Sequence, residues 1–112
     1  MKLVTTMIKP ARLDQLHQEL ERTGISGMTV TEVRSLGERR PPSETWRGAA
    51  CAIDFLPRYK VEVVVDDPLA EPVIEAIQRT AGLAGVDHGA LLELEVGGVV
   101  RIRTGETDLN AI

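Results

Sequence analysis

Apolar and polar positions along this chain repeat with two different periods, and the switches between them mark out its elements. Residues 2–8, KLVTTMI, form a short apolar and β-branched run that predicts a strand. Pro10 suits the first turn of a helix, where its missing N–H is no loss. Leu13, Leu16 and Leu20 then recur at helical spacing. Gly24 lies where such a helix needs a left-handed cap. Residues 28–35, MTVTEVRS, are again β-branched and predict a second strand. In RYKVEVVV, residues 58–65, Val61, Val63 and Val65 alternate with Lys60, Glu62 and Val64, the period of a pleated strand. An Asp66-Asp67-Pro68 turn leads into a second helix over 69–81, with Val73, Ile74, Ile77 and Ala81 on one face. LLELEV at 91–96 alternates once more, VVRIR at 99–103 predicts a short final strand, and a polar tail follows. The order strand–helix–strand, long connection, strand–helix–strand is the split βαβ arrangement of an α+β, ferredoxin-like domain, an antiparallel sheet with two helices on one face.

Two stretches break the periodicity. Residues 36–57 hold Gly37, Pro41, Pro42, Gly48 and Pro57, and their first half is heavily charged. A connection of this length inside a compact domain is characteristic of a functional or mobile loop. The second stretch, GLAGVDHGA at 82–90, is a glycine-punctuated turn between helix and strand.

Composition narrows the functional classes. A chain of 112 residues is one domain spanning 1–112, large enough for a core but small enough to gain from oligomerisation. The formal net charge of −4, with no cluster of basic and aromatic residues, argues against nucleic-acid binding. A single Cys excludes an internal disulfide framework and fits a reducing, cytoplasmic setting. No apolar run is long enough to span a membrane, and the start of the chain does not read as a signal peptide.

Candidate chemistry is sparse. Cys51 as a nucleophile needs a base, yet His17 falls within the first helix, His88 within the glycine turn, and nothing brings either to it. These three residues also lack the spacing of a metal site, so no metal is expected. The turn at 82–90 lacks the Lys–Ser/Thr of a phosphate loop and the order of a dinucleotide fingerprint. On one face of VVRIR, Arg101 and Arg103 suit an oxyanion, although two surface arginines matched to local acids give the same pattern. In the long loop, Arg39, Arg40 and Arg47 alternate with Glu38 and Glu44, and Trp46 stands beside Arg47. Arg and Trp are typical anchors of protein–protein contacts, and ordinary packing of the same residues is the competing reading.

Taken together, MIKPARLDQL, GISGMTVTEV, WRGAACAIDFLPRYKVEVVV and RIRTGETD resemble the PII signal-transduction family over essentially the whole chain. The resemblance implies a homotrimer of ferredoxin-like subunits that binds adenine nucleotides between subunits. It identifies residues 36–57 with the family's T-loop, which docks on membrane transporters or metabolic enzymes, and 82–90 with its shorter B-loop. Residues 99–112 become the C-terminal segment. The adenine and ribose are then expected near Gly27, Met28, Thr29, Gly37, Glu62 and Val64. Asp87, His88, Gly89, Arg101 and Arg103 are expected around the phosphates, and Arg39 and Arg58 at the base of the loop. Trp46, Arg47 and Cys51 become the partner-docking residues. No cofactor is implied beyond the nucleotide itself, which is ADP, AMP or ATP, with a small anion such as 2-oxoglutarate or bicarbonate beside it. The implied setting is cytoplasmic, with recruitment to a membrane by a transporter partner but no direct insertion.

The chain departs from the family pattern at several positions. Ala90 stands where a phosphate-binding Lys is usual, which penalises the most highly charged nucleotide. Arg39 replaces a Gln that helps to bind 2-oxoglutarate, and Arg58 replaces a Lys. Trp46 and Cys51 stand where the loop usually carries Tyr, and without a phenolic hydroxyl Cys51 is no substrate for uridylylation. The leading expectation is a non-enzymatic regulator in nitrogen metabolism. A carboxysome- or inorganic-carbon-linked relative sensing ADP or AMP with bicarbonate is the near alternative. A nucleotide-independent interaction protein, or a slow nucleotide hydrolase using Glu62 or His88 as base, are the alternatives of another class.

Overall fold

The computed structural model describes residues 1–36, 55–82 and 90–112, with positions 81 and 82 described in backbone only. Its elements run β1 (Lys2–Ile8), a 3-10 turn (Pro10–Arg12), α1 (Leu13–Arg22), β2 (Thr29–Leu36), β3 (Phe55–Val65), α2 (Asp67–Gly82) and β4 (Leu91–Glu95), closing on a 3-10 turn at Asp108–Ala111. The strands form one four-stranded sheet in the order β2-β3-β1-β4. Every neighbouring pair is antiparallel. This is the expected ferredoxin-like α+β architecture.

Directly opposed residues of antiparallel strands share a face, so the register divides the sheet. Val4, Thr6 and Ile8 of β1 face the same way as Val63, Val61 and Tyr59 of β3. That face packs on Leu16 and Leu20 of α1 and Val73 and Ile77 of α2, in one buried cluster. Leu16 and Leu20 repeat at i, i+4 and are both essentially inaccessible, which is why this amphipathic segment is held as a helix. α1 ends where Gly24 adopts φ +98° and the amides of Thr23 and Ile25 both donate to the Leu20 carbonyl. Only glycine adopts that backbone readily.

Several boundaries differ from the sequence pattern. Asp67 and Pro68 are already helical rather than part of a turn. Asp66 caps them: its Oδ1 accepts from the Asp67 amide at 2.7 Å, and its carbonyl accepts from the Leu69 amide at 2.9 Å. The long connection is shorter than 36–57, because Leu36 pairs with Phe55, Ser35 with Leu56 and Arg34 with Pro57. Pro57 is tolerated there because β1 ends at Ile8↔Tyr59, leaving β3 with β2 alone beyond that point.

The predicted strand at 99–103 is the clearest correction. Only Val100 bridges, to Thr107, and residues 102–104 turn. The amide of Arg101 donates to the Glu106 carbonyl at 2.8 Å, and the amide of Gly105 to the Arg101 carbonyl at 2.7 Å. The chain therefore doubles back on itself, and Gly105 at φ +77° makes that reversal possible. Arg101 and Arg103 are consequently not two teeth on one face of a sheet strand.

The second face of the sheet has no helix on it among the described residues. It carries Leu3 and Met7 of β1, Val64 of β3, and Leu92 and Leu94 of β4. Met7, Leu92 and Leu94 are 44%, 57% and 45% exposed. After Leu91, which sits opposite Thr6 and packs on the core, the alternation of β4 is inverted: Glu93 and Glu95 share the helix-covered side with Val4 and Lys2, and Leu92 and Leu94 point away.

Candidate functional site

A cavity in the described residues arises from where β2 begins. Its first residue, Thr29, pairs with Glu62. Beyond that pair, β3 continues through Val65 with β1 on one side and, among the described residues, no strand on the other. An edge of this kind presents backbone donors and acceptors that the sheet does not consume. The connection from α1 to β2, Gly24–Thr29, bends past this edge, held at its start by the Gly24 turn and at its end by Ile25 and Met28, which pack on the core. Between edge and connection lies a cavity of ≈ 820 Å³. Its other walls are Leu3, Leu69 and two residues from the far end of the chain, Leu109 and Ile112. The size falls within the roughly 300–1,000 Å³ common for small-molecule sites. Apolar walls joined by an open strand edge and two carboxylates, Glu62 and Asp66, suit a flat heteroaromatic ring with polar edges.

Gly27, Met28, Thr29, Glu62 and Val64 all line this cavity, so five of the residues expected around a base and ribose meet at one place. Arg58 does not. It lines a second, smaller groove with Pro10, Glu32, Val33, Arg34, Pro57 and Tyr59. Arg101 and Arg103 lie on the C-terminal reversal, both exposed. The Arg101 Nη2 donates to the Ala111 carbonyl at 3.3 Å, and its Nε lies 3.7 Å from Glu106 Oε1. Gly37, Arg39, Trp46, Arg47, Cys51, Asp87, His88 and Gly89 lie outside the described residues. Ala90 is described; its carbonyl accepts from the hydroxyl of Thr6 at 3.0 Å, which ties the start of β4 to β1.

Leu109 and Ile112 belong to the cavity and were not singled out from sequence. They sit more than 40 residues beyond β3, in a tail whose composition reads as polar, and no local periodicity reveals that it folds back.

Elsewhere the electrostatics hold the frame. The α-amino group of Met1 donates to Asp67 Oδ1 at 2.9 Å. That hydrogen bond holds the α-amino group above its ordinary value and Asp67 below its own. Lys2 bonds Glu95 across β1 and β4, which raises the lysine. Glu19 binds both Arg22 and Arg79, joining α1 to α2. Among the described residues no group of His, Cys, Asp or Glu is arranged to hold a metal ion, and no helix is long and apolar enough to cross a membrane.

Comparison with known proteins agrees with this frame. The family profile described as nitrogen regulatory protein P-II matches residues 1–106. The chain is 45% identical over 112 residues to the nitrogen regulatory protein P-II of Rhizobium meliloti, covering all of both chains. It is 46% identical to the protein of that name from Haemophilus influenzae and 42% identical to nitrogen regulatory protein P-II 1 of Escherichia coli K12, again over the full length of each.

Proposed function

The chain belongs to the nitrogen regulatory protein P-II family, and from that premise we propose that it is a non-enzymatic signalling trimer. In this reading it binds an adenine nucleotide in the cavity beside β3 and controls a transporter or metabolic enzyme of nitrogen metabolism through the loop between β2 and β3. The observation that carries the proposal is the convergence of Gly27, Met28, Thr29, Glu62 and Val64 around one cavity of nucleotide-compatible size. The adenine lies against the apolar wall with its polar edge towards the open edge of β3. Arg101 and Arg103 meet the phosphates, where guanidinium groups are favoured over other cations for their paired donors.

Support for the trimer comes from the uncovered sheet face. Met7, Leu92 and Leu94 leave a band of apolar surface that a second and third copy would cover, and among the described residues nothing else covers the outward leucines of β4. Each nucleotide then bridges two subunits and stabilises one loop arrangement over another, which is how a ligand shifts partner affinity.

Ala90 favours ADP or AMP over ATP, because a side chain without charge does nothing to offset the additional phosphate. The same residue supports a second reading, a relative that senses ADP or AMP together with bicarbonate in inorganic-carbon supply. Calorimetry with ATP, ADP and AMP tests the proposal, with ADP or AMP expected to bind more tightly than ATP. Absence of heat with all three at millimolar concentration sinks it in favour of a nucleotide-independent interaction protein. Steady phosphate release from ATP points instead to a slow hydrolase.

A further inference from the structure

The end of the C-terminal segment is fastened by a side chain that the proposed function needs elsewhere, Arg101. Residues 99–107 form the doubled-back arm described above. Asp108 then turns the chain out of it at φ +54°, a left-handed backbone that a non-glycine residue holds only under local constraint. The constraint is its exchange with Val99: the Asp108 amide donates to the Val99 carbonyl at 2.7 Å, and the Val99 amide donates to Asp108 Oδ1 at 3.5 Å. From this corner a single 3-10 turn carries Leu109 and Ile112 to the cavity wall. Apart from its apolar contact with the cavity, the end of that turn is held by the hydrogen bond from Arg101 to the Ala111 carbonyl. The guanidinium is oriented for it by Glu106, whose Oε1 also accepts from the Thr104 hydroxyl at 2.9 Å.

We propose that Arg101 is a ligand-linked clamp, which holds residues 108–112 against the cavity and releases them when its guanidinium is drawn to an anionic ligand. The inference rests on the reading of Arg101 as a phosphate contact. The fastening is built to be displaced. A 3.3 Å hydrogen bond to a carbonyl and a 3.7 Å contact to a half-exposed carboxylate are both long. A phosphate offers the guanidinium shorter, paired, charge-assisted bonds. Leu109 and Ile112 remain 53% and 42% exposed while they cover the cavity, so only about half of each side chain's possible burial opposes their departure. Asp108 also recovers an ordinary backbone when the turn opens. The tail therefore reports the ligand's charge: adenosine fills the cavity without moving it, and ADP moves it. Arg101 acts on the tail as a positioning residue, and Leu109 and Ile112 form the movable wall.

Methyl NMR of the full chain labelled at isoleucine, followed at Ile112, tests this with calorimetry on the same samples. Without nucleotide, Arg101→Met and Glu106→Gln each shift Ile112 towards its disordered position, raising the open-to-closed ratio roughly two- to fivefold, the factor that a half-exposed ion pair supports. Binding of ADP produces the same shift in the unaltered chain, and adenosine does not. If calorimetry shows ADP bound while Ile112 stays fixed, the clamp is wrong and the nucleotide reading stands. If Arg101→Met leaves Ile112 unmoved in the free chain, the holding contact itself is wrong. If ADP gives no heat, the nucleotide reading fails and takes ligand-driven release with it, whatever the variants show.

Discussion

Truncating Leu92 to Ala separates a chain that stands alone from one that shares its sheet. Leu92 is 57% exposed on the uncovered face, opposite Thr5 and two residues from Leu94. Complete burial of a leucine side chain is worth about 1.5–3 kcal/mol. In a lone chain a little under half of that is realised, so Leu92→Ala costs about 1 kcal/mol. If other copies cover the face, the whole side chain is buried and truncation leaves a cavity, raising the cost to about 2–4 kcal/mol per subunit. Leu20→Ala is the internal standard. Leu20 is 1% exposed between helix and sheet, and its loss costs about 2–5 kcal/mol in either case. Urea unfolding at several protein concentrations gives both energies, and sedimentation velocity gives the associated state. The account predicts that Leu92→Ala approaches Leu20→Ala in cost and weakens association. A cost near 1 kcal/mol, independent of protein concentration and with unchanged sedimentation, refutes the covered face.

Further outcomes follow from the same geometry. Gly24→Ala meets no atom within 4 Å but forces alanine into φ +98°, so it costs about 1–2 kcal/mol through the backbone alone, read as a fall of several degrees in melting temperature. The Met1–Asp67 contact makes stability depend on pH at both ends. The raised α-amino group contributes fully below its ordinary value of 8.0, and the contribution fades as pH climbs through the raised folded value. The depressed Asp67 contributes above its ordinary 3.8, and that contribution fades as pH falls through the lower folded value. Melting temperature against pH should therefore fall away outside that window, and Asp67→Asn should flatten both limbs. Arg103→Ala should weaken ADP about tenfold, the worth of a charge-assisted hydrogen bond, and leave adenosine unchanged by calorimetry.

Much of this fold is legible in the residues because its core follows simple periods. Val61, Val63 and Val65 alternate, Leu16 and Leu20 repeat by helical turns, and Gly24 falls where the helix must reverse. Five cavity residues were equally legible, since Gly27–Thr29 and Glu62–Val64 belong to the stretches that carry the family likeness. The misreadings share a cause. VVRIR has strand composition, yet Thr104-Gly105 permits a reversal with φ +77°, and the segment bonds to its own continuation instead of the sheet. LLELEV shows its alternation plainly, but the pattern alone does not reveal that Leu92 and Leu94 face away from the helices; that requires the register with β1. Leu109 and Ile112 reach the cavity only through the Asp108 corner and the Arg101 contact, which join positions by geometry that no local pattern encodes.

Native mass spectrometry with saturating ADP reads assembly and ligand in one spectrum. The account predicts a particle of three 12.2 kDa chains carrying up to three ADP, with no third nucleotide bound to any assembly of two chains. A single chain free of ADP under the same conditions contradicts it.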